Sequence, residues 1–202
     1  RFPKLVEELT SFLRDEKTTP LVSPKPPKDL PIWMLGSSPD SAQLAAQRGL
    51  PYNLALFINP QAPRELVRLY KRYFNTSAKG DAKPYGTVTM SVFCAETLEE
   101  AKLQQHAFDV NFYRFVTGQR SADGAVLLGI EQAQDFPLSA QLEGFIQQRS
   151  ENRAVGNPAQ VNESVRKVAK NFGVDEVMVV TNMMEFEERK RSYQLLKNAF
   201  DQ

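Results

Sequence analysis

Residues 35–49, LGSSPDSAQLAAQRG, end an apolar run at a glycine and two serines and enter a helix at once. How that junction is read decides the fold. Residues 32–35 form a compact apolar strand, and residues 41–47 form a helix with Gly49 as its stop. Ser38 suits the N-cap, and Pro39 suits the first helical position, where a missing N–H costs nothing. Ala42, Ala45 and Ala46 give the helix a small inner face, so it can lie close against a sheet. The unit is therefore strand, tight turn, helix.

The same unit recurs along the chain. Residues 53–58 form a second strand, after which Asn59-Pro60 opens a helix to about residue 74 with Leu66, Leu69, Tyr70 and Tyr73 on its inner face. Residues 87–94 form a third strand, and Thr97 with Glu100 makes a capping box for a long helix towards Val116. Residues 117–137 read as a loop, with Gly118, Gly124, Gly129 and Pro137. A helix over 139–148 follows, and Asn157-Pro158 opens another that stops at Gly173. Residues 176–181 form the fourth strand and 187–200 the last helix. Ahead of all this, Phe2, Leu5, Val6, Leu9, Phe12 and Leu13 recur at helical spacing. Six of the 13 prolines fall in the first 31 residues, so the connector there is an extended surface segment.

Alternating strands and helices imply a parallel sheet, since each helix carries the chain back to start the next strand in the same direction. Four such units fit a small open sheet or half of a (β/α)8 barrel. The half-barrel also accounts for an N-terminal helix with no strand before it. The expectation is an α/β fold whose parallel βα units form the C-terminal half of a TIM-type barrel, with residues 1–202 as a single partial domain. Its uncovered edges call for a homo-oligomer or an associated fragment.

Composition removes several function classes. With 25 basic and 24 acidic residues the net charge is +1, which leaves no footprint for nucleic acid or an anionic membrane. No apolar run reaches the roughly 18 residues of a membrane span. One cysteine, Cys94, excludes an internal disulfide and suits the cytoplasm. One histidine, His106, falls mid-helix, so neither a metal cluster nor a Ser-His-Asp set can be built. Cys94 reads as a buried structural thiol. Arg68, Lys71 and Arg72 read as the solvated face of a helix rather than a nucleic-acid surface.

In either architecture ligands bind at the C-terminal ends of the strands. Gly36, Ser37 and Ser38 lie there, and Thr181 and Asn182 end the last strand at the same face. Gly36 permits close approach of the backbone, Ser37 and Ser41 offer hydroxyl donors, and the positive end of the helix suits a phosphate. Yet Asn59-Pro60 and Asn157-Pro158 are caps of the same form, so spacing alone favours an ordinary cap.

IWMLGSSPDSAQLAAQRGLPYNLALFINP, residues 32–60, resembles the luciferase-like flavin-dependent monooxygenases, in the subgroup with an LGSS-x-x-SA-x-LAA-x-x-GLP-[FY] signature. VFCAETLEEA (92–101), AVGNPAQV (154–161) and FGVDEVMVVTNMMEFEERKRSYQLLKNAF (172–200) continue the resemblance in order. It implies a (β/α)8 barrel, of which this chain matches the part from about the fourth helix onward. It also implies reduced flavin mononucleotide (FMN) at the C-terminal face, dioxygen as co-substrate and a small organic substrate. A flavin reductase is the implied partner, and some relatives use a deazaflavin instead. The turn matched by Gly36, Ser37 and Ser38 then contributes to the flavin phosphate site. Related sequences often carry a histidine near the end of the strand matching residues 53–58, where this chain has Leu56 and Phe57. No catalytic residue is therefore assigned. A non-catalytic flavin- or phosphate-binding protein, or an inactive fragment, is the alternative.

Overall fold

A computed structural model describes residues 1–14, 23–24, 26–27, 30–79, 82–119 and 127–201. Five strands pair in parallel: β1 (Met34–Gly36), β2 (Tyr52–Ala55), β3 (Gly86–Cys94), β4 (Ala154–Gly156) and β5 (Val177–Val180). Met34 faces Tyr52, and Tyr52 faces Gly86, which sets β1, β2 and β3 side by side. The middle of β3 then pairs with β5, Val88 opposite Val177, and its C-terminal end pairs with β4, Val92 opposite Ala154. The helices are α1 (Phe2–Leu13), α2 (Pro39–Gln47), α3 (Glu65–Arg72), α4 (Leu98–Val116), α5 (Ile130–Gln134), α6 (Ala140–Ser150), α7 (Pro158–Phe172) and α8 (Phe186–Phe200).

The α/β class and the parallel sheet are as expected from the sequence. Four details differ. β4 is a fifth strand where four were read; at three residues it carries no periodicity, and only the overhang of β3 gives it a partner. The second strand stops at Ala55 because the N–H groups of Ile58 and Asn59 both turn back to the Ala55 carbonyl. Asn59-Pro60 does not cap a helix: Asn59 Oδ1 accepts from Gln61 N at 3.2 Å, closing a local turn, and α3 begins only after Pro63. The expected loop over 117–137 contains α5, while its residues 120–126 lie outside the described residues, as does most of the proline-rich connector.

One face of the sheet packs on helices. Met34, Tyr52, Leu54, Val88, Met90 and Val92 are buried against the alanines of α2, Leu66, Val67 and Tyr70 of α3, and the valines of α7. Strand residues alternate sides, so Trp33, Leu35 and Met178 point the other way and are 37, 50 and 38% exposed. The same face carries a polar ladder in which Asn53 Nδ2 donates to Thr87 Oγ1 (2.6 Å) and Thr89 Oγ1 donates to Asn53 Oδ1 (2.8 Å). A second cluster, Ala107, Val110, Tyr113, Ala133 and Leu142, joins α4, α5 and α6.

Candidate functional site

The turn after β1 is held by its own side chains. Ser38 Oγ accepts from Ser41 N at 3.3 Å, and Ser41 Oγ accepts from Ser38 N at 3.2 Å, a complete capping box. Ser41 Oγ donates to the Ser38 carbonyl at 2.7 Å, so its proton is committed within the turn. Tyr52, which the sequence reading did not single out, ties this turn to β2. Its hydroxyl donates to the Gly36 carbonyl (3.1 Å) and lies 3.2 Å from Ser41 Oγ. Burial raises its pKa, and the Ser41 hydrogen bond only partly offsets that.

Gly36 is required here by the protein's own packing. A Cβ on it would stand 2.3 Å from both Cβ and Oγ of Ser41. The device recurs after β4. There Asn157 and Gln160 form the capping box, and a Cβ on Gly156 would stand 2.5 Å from Gln160 Oε1. In both turns the glycine makes room for the third residue of the helix to reach back over the cap. This accounts for Gly36, Ser38 and Ser41 without a ligand. Ser37 stands apart: it is half-buried, and its hydroxyl has no hydrogen-bond partner among the described residues. An anion at this turn would meet the Ser37 hydroxyl and the positive end of α2, with the Asp40 carboxylate opposing it.

At the end of β5, Thr181 is buried and its Oγ1 lacks a partner, while its N–H donates to the Tyr193 hydroxyl oxygen at 3.3 Å. Asn182 is half-buried beside it. From β3 onto α4 runs a row of aromatic rings. Phe93 of β3 meets Phe108 at 5.8 Å, Phe108 stacks on Phe112 at 5.8 Å and 7°, and Phe112 continues to Phe115 at 6.3 Å and 19°. Two guanidinium groups lie over the row. Arg149 sits 4.4 Å from the Phe112 centroid and donates to the Phe57 carbonyl at 3.2 Å. Arg153 lies over Phe93 and makes a bidentate pair with Asp109, at 2.7 and 3.0 Å, with both side chains almost wholly buried. Asp109 neutralises Arg153, and no described carboxylate pairs with Arg149. Burial, and then the nearby Arg153 charge, lower the Arg149 pKa.

The remaining candidates fall into structural roles. His106 Nε2 lies 3.1 Å from the Ala133 carbonyl. Cys94 is buried, and desolvation pushes its thiol up to about 11. Lys71 reaches the Gly173 carbonyl, and Arg68 and Arg72 are exposed over the buried Leu66, Val67 and Tyr70. Among the described residues no cluster of metal-binding side chains is present, and no helix is long and apolar enough to cross a membrane.

The sequence profile of the family described as luciferase-like monooxygenase matches residues 10–179. A luciferase-like monooxygenase of Escherichia coli is 30% identical over 96% of this chain and 57% of its own length. The crystal structure of apo-MsnO8 superposes with a TM-score of 0.81 at 32% identity, over 99% of this chain and 60% of that one. A crystal structure of riboflavin lyase with modified FMN and riboflavin shares the fold, with a TM-score of 0.53 at 17% identity over 89% of this chain and 44% of its own. The chain spans about 60% of the length of the curated relatives it matches.

Proposed function

The chain belongs to the luciferase-like monooxygenase family, and from that premise we propose that it serves a flavin-dependent monooxygenase that uses reduced FMN and dioxygen on a small organic substrate. The observation that carries the reading is the Ser37 hydroxyl. It is a donor without a partner among the described residues, at the C-terminal end of a parallel strand and the N-terminus of a helix, where α/β folds bind phosphates. FMN in the riboflavin lyase structure supports the choice of cofactor.

The residues present fit a phosphate at this turn in a specific way. Ser37 would donate to it and the α2 dipole would stabilise its charge, while Ser38, Ser41 and Tyr52 hold the turn in shape. The unpartnered Thr181 hydroxyl and Asn182 would offer polar contacts at the far edge of the sheet. The bound reduced flavin would supply the electrons for dioxygen chemistry, and the protein's part is to bind, orient and exclude water.

Titrating the whole protein with FMN, a deazaflavin and a nicotinamide dinucleotide tests this reading. FMN is expected to bind, and Ser37→Ala is expected to weaken it about ten- to a hundredfold, the loss of one charge-assisted hydrogen bond. Preference for the deazaflavin would replace the cofactor. Nicotinamide binding without flavin binding would overturn the proposal. FMN binding without dioxygen consumption would leave a non-catalytic flavin carrier.

A further inference from the structure

We propose that the groove between α4 and the turn after β5 is the subsite for the substrate's apolar body, and that the substrate is a medium-sized organic acid whose anionic end meets Arg189. The substrate role rests on the monooxygenase reading above. The groove encloses about 310 Å3, at the small end of the range for ligand sites. At roughly 30 Å3 per water-sized group, that is room for about ten heavy atoms.

Its two walls differ in chemistry. One is the stacked face of Phe108, Phe112 and Phe115. Arg149 over Phe112 and the tilted contact of Phe112 with Phe145 (5.8 Å) hold that wall in place, so little ordering is left for a ligand to impose. The other wall is Met183 and Met184, whose flexible thioethers adapt to irregular apolar groups. Phe115 remains 58% exposed. An aromatic wall left open to solvent beside two methionines fits an apolar occupant.

Charge selects the kind of occupant. Among the described residues Arg189 is the one charged side chain lining the groove, and no described carboxylate lies within ion-pair distance of it. Its guanidinium lies over the Phe186 ring, 6.0 Å from the centroid. Of the two amide side chains that line the groove, Asn111 and Asn182, the first has its Nδ2 already engaged with the Ala107 and Leu128 carbonyls, both at 2.9 Å. A carboxylate or similar anion is therefore the polar group this groove lacks. Position links it to the proposed cofactor site. The groove opens beside Asn182, at the same end of the sheet as Ser37, and β2 and β3 lie between. Three strand spacings, about 14 Å, separate the two turns along the sheet and leave space for a cofactor between them.

Octanoate and octanamide, equal in size and different in charge, are suitable probes. In the whole protein carrying 13C-methyl methionine, octanoate should shift the Met183 and Met184 signals and leave that of Met178, on the exposed sheet face, in place. Octanoate should bind about tenfold tighter than octanamide. Arg189→Gln should abolish that preference while leaving octanamide binding unchanged. Phe115→Ala, at an exposed position, should weaken both probes alike. Shifts at Met178 alone, equal affinity for the two probes, or an unchanged preference in Arg189→Gln would each overturn the proposal. FMN titration of the same samples separates the two readings. FMN binding without methionine shifts removes the subsite, and methionine shifts without FMN binding remove the monooxygenase.

Discussion

Asp109 shows most plainly what a single residue does here. It is wholly buried on α4, with Arg153 on both carboxylate oxygens and the aromatic row around the pair. Removing one partner of such a pair leaves a buried charge without compensation, which typically costs about 3–5 kcal/mol. Asp109→Ala is therefore expected to be among the most destabilising single changes in the chain, as read by urea denaturation. The two neighbouring serines should separate in the same measurement. Ser38→Ala removes an N-cap and should cost about 1 kcal/mol. Ser37→Ala removes no hydrogen bond among the described residues and should leave the melting temperature alone while FMN affinity falls. If both variants lower stability alike and leave FMN binding unchanged, the turn is a cap and nothing more. Cys94 adds a pH dependence. Its thiol is neutral in the unfolded chain below about 9.0 and in the folded chain below about 11. The folded state thus holds the proton more tightly, so stability is flat below the lower value and falls as pH rises between the two. Cys94→Ala should remove that portion of the alkaline decline, which equilibrium unfolding from pH 8 to 11 would reveal.

At the scale of elements, the same junction is built twice, once after β1 and once after β4. In each, a strand ends on a glycine, a side chain caps the following helix, a proline occupies the first helical position, and the third helical residue folds back over the glycine. The geometry makes the glycine and the capping-box residue a coupled pair. Gly36→Ala would drive a methyl group into Ser41, and overpacking of this kind typically costs about 1–3 kcal/mol. In a Ser41→Gly background the methyl group has space, so the double variant should be less destabilised than the sum of the single ones. Strict additivity in thermal unfolding would show that Gly36 is needed for some other reason, such as approach of a ligand.

For the whole molecule, the two faces of the sheet are treated differently. One is covered by α2, α3 and α7, whereas the other presents Trp33, Leu35 and Met178 to solvent among the described residues. Parallel sheets are almost always covered on both faces. This chain on its own is expected to self-associate through that face, in light scattering at micromolar concentration. Leu35→Lys combined with Met178→Lys should shift it towards monomer without altering the circular dichroism spectrum. A monodisperse monomer of the unaltered chain would count against this account of the face.

The parallel α/β class and the starts of three helices were legible in the residues themselves. Ser38, Thr97 and Asn157 all cap as read, because a cap is settled by chemistry within three residues. The family resemblance was legible for a related reason: its signatures span whole strand–turn–helix junctions. Matters that depend on partners far along the chain were settled in the folded molecule. β4 exists because β3, some sixty residues earlier, is long enough to receive it. Arg153 lies 44 residues from Asp109 and Arg149 lies 37 from Phe112, so a spacing of four between phenylalanines could announce a helical face but not the cations above it. The turn itself shows the same division. Its glycine and serines were visible at once, but which hydroxyl remains available was set by the register that brings Tyr52 of β2 beside Gly36 and Ser41.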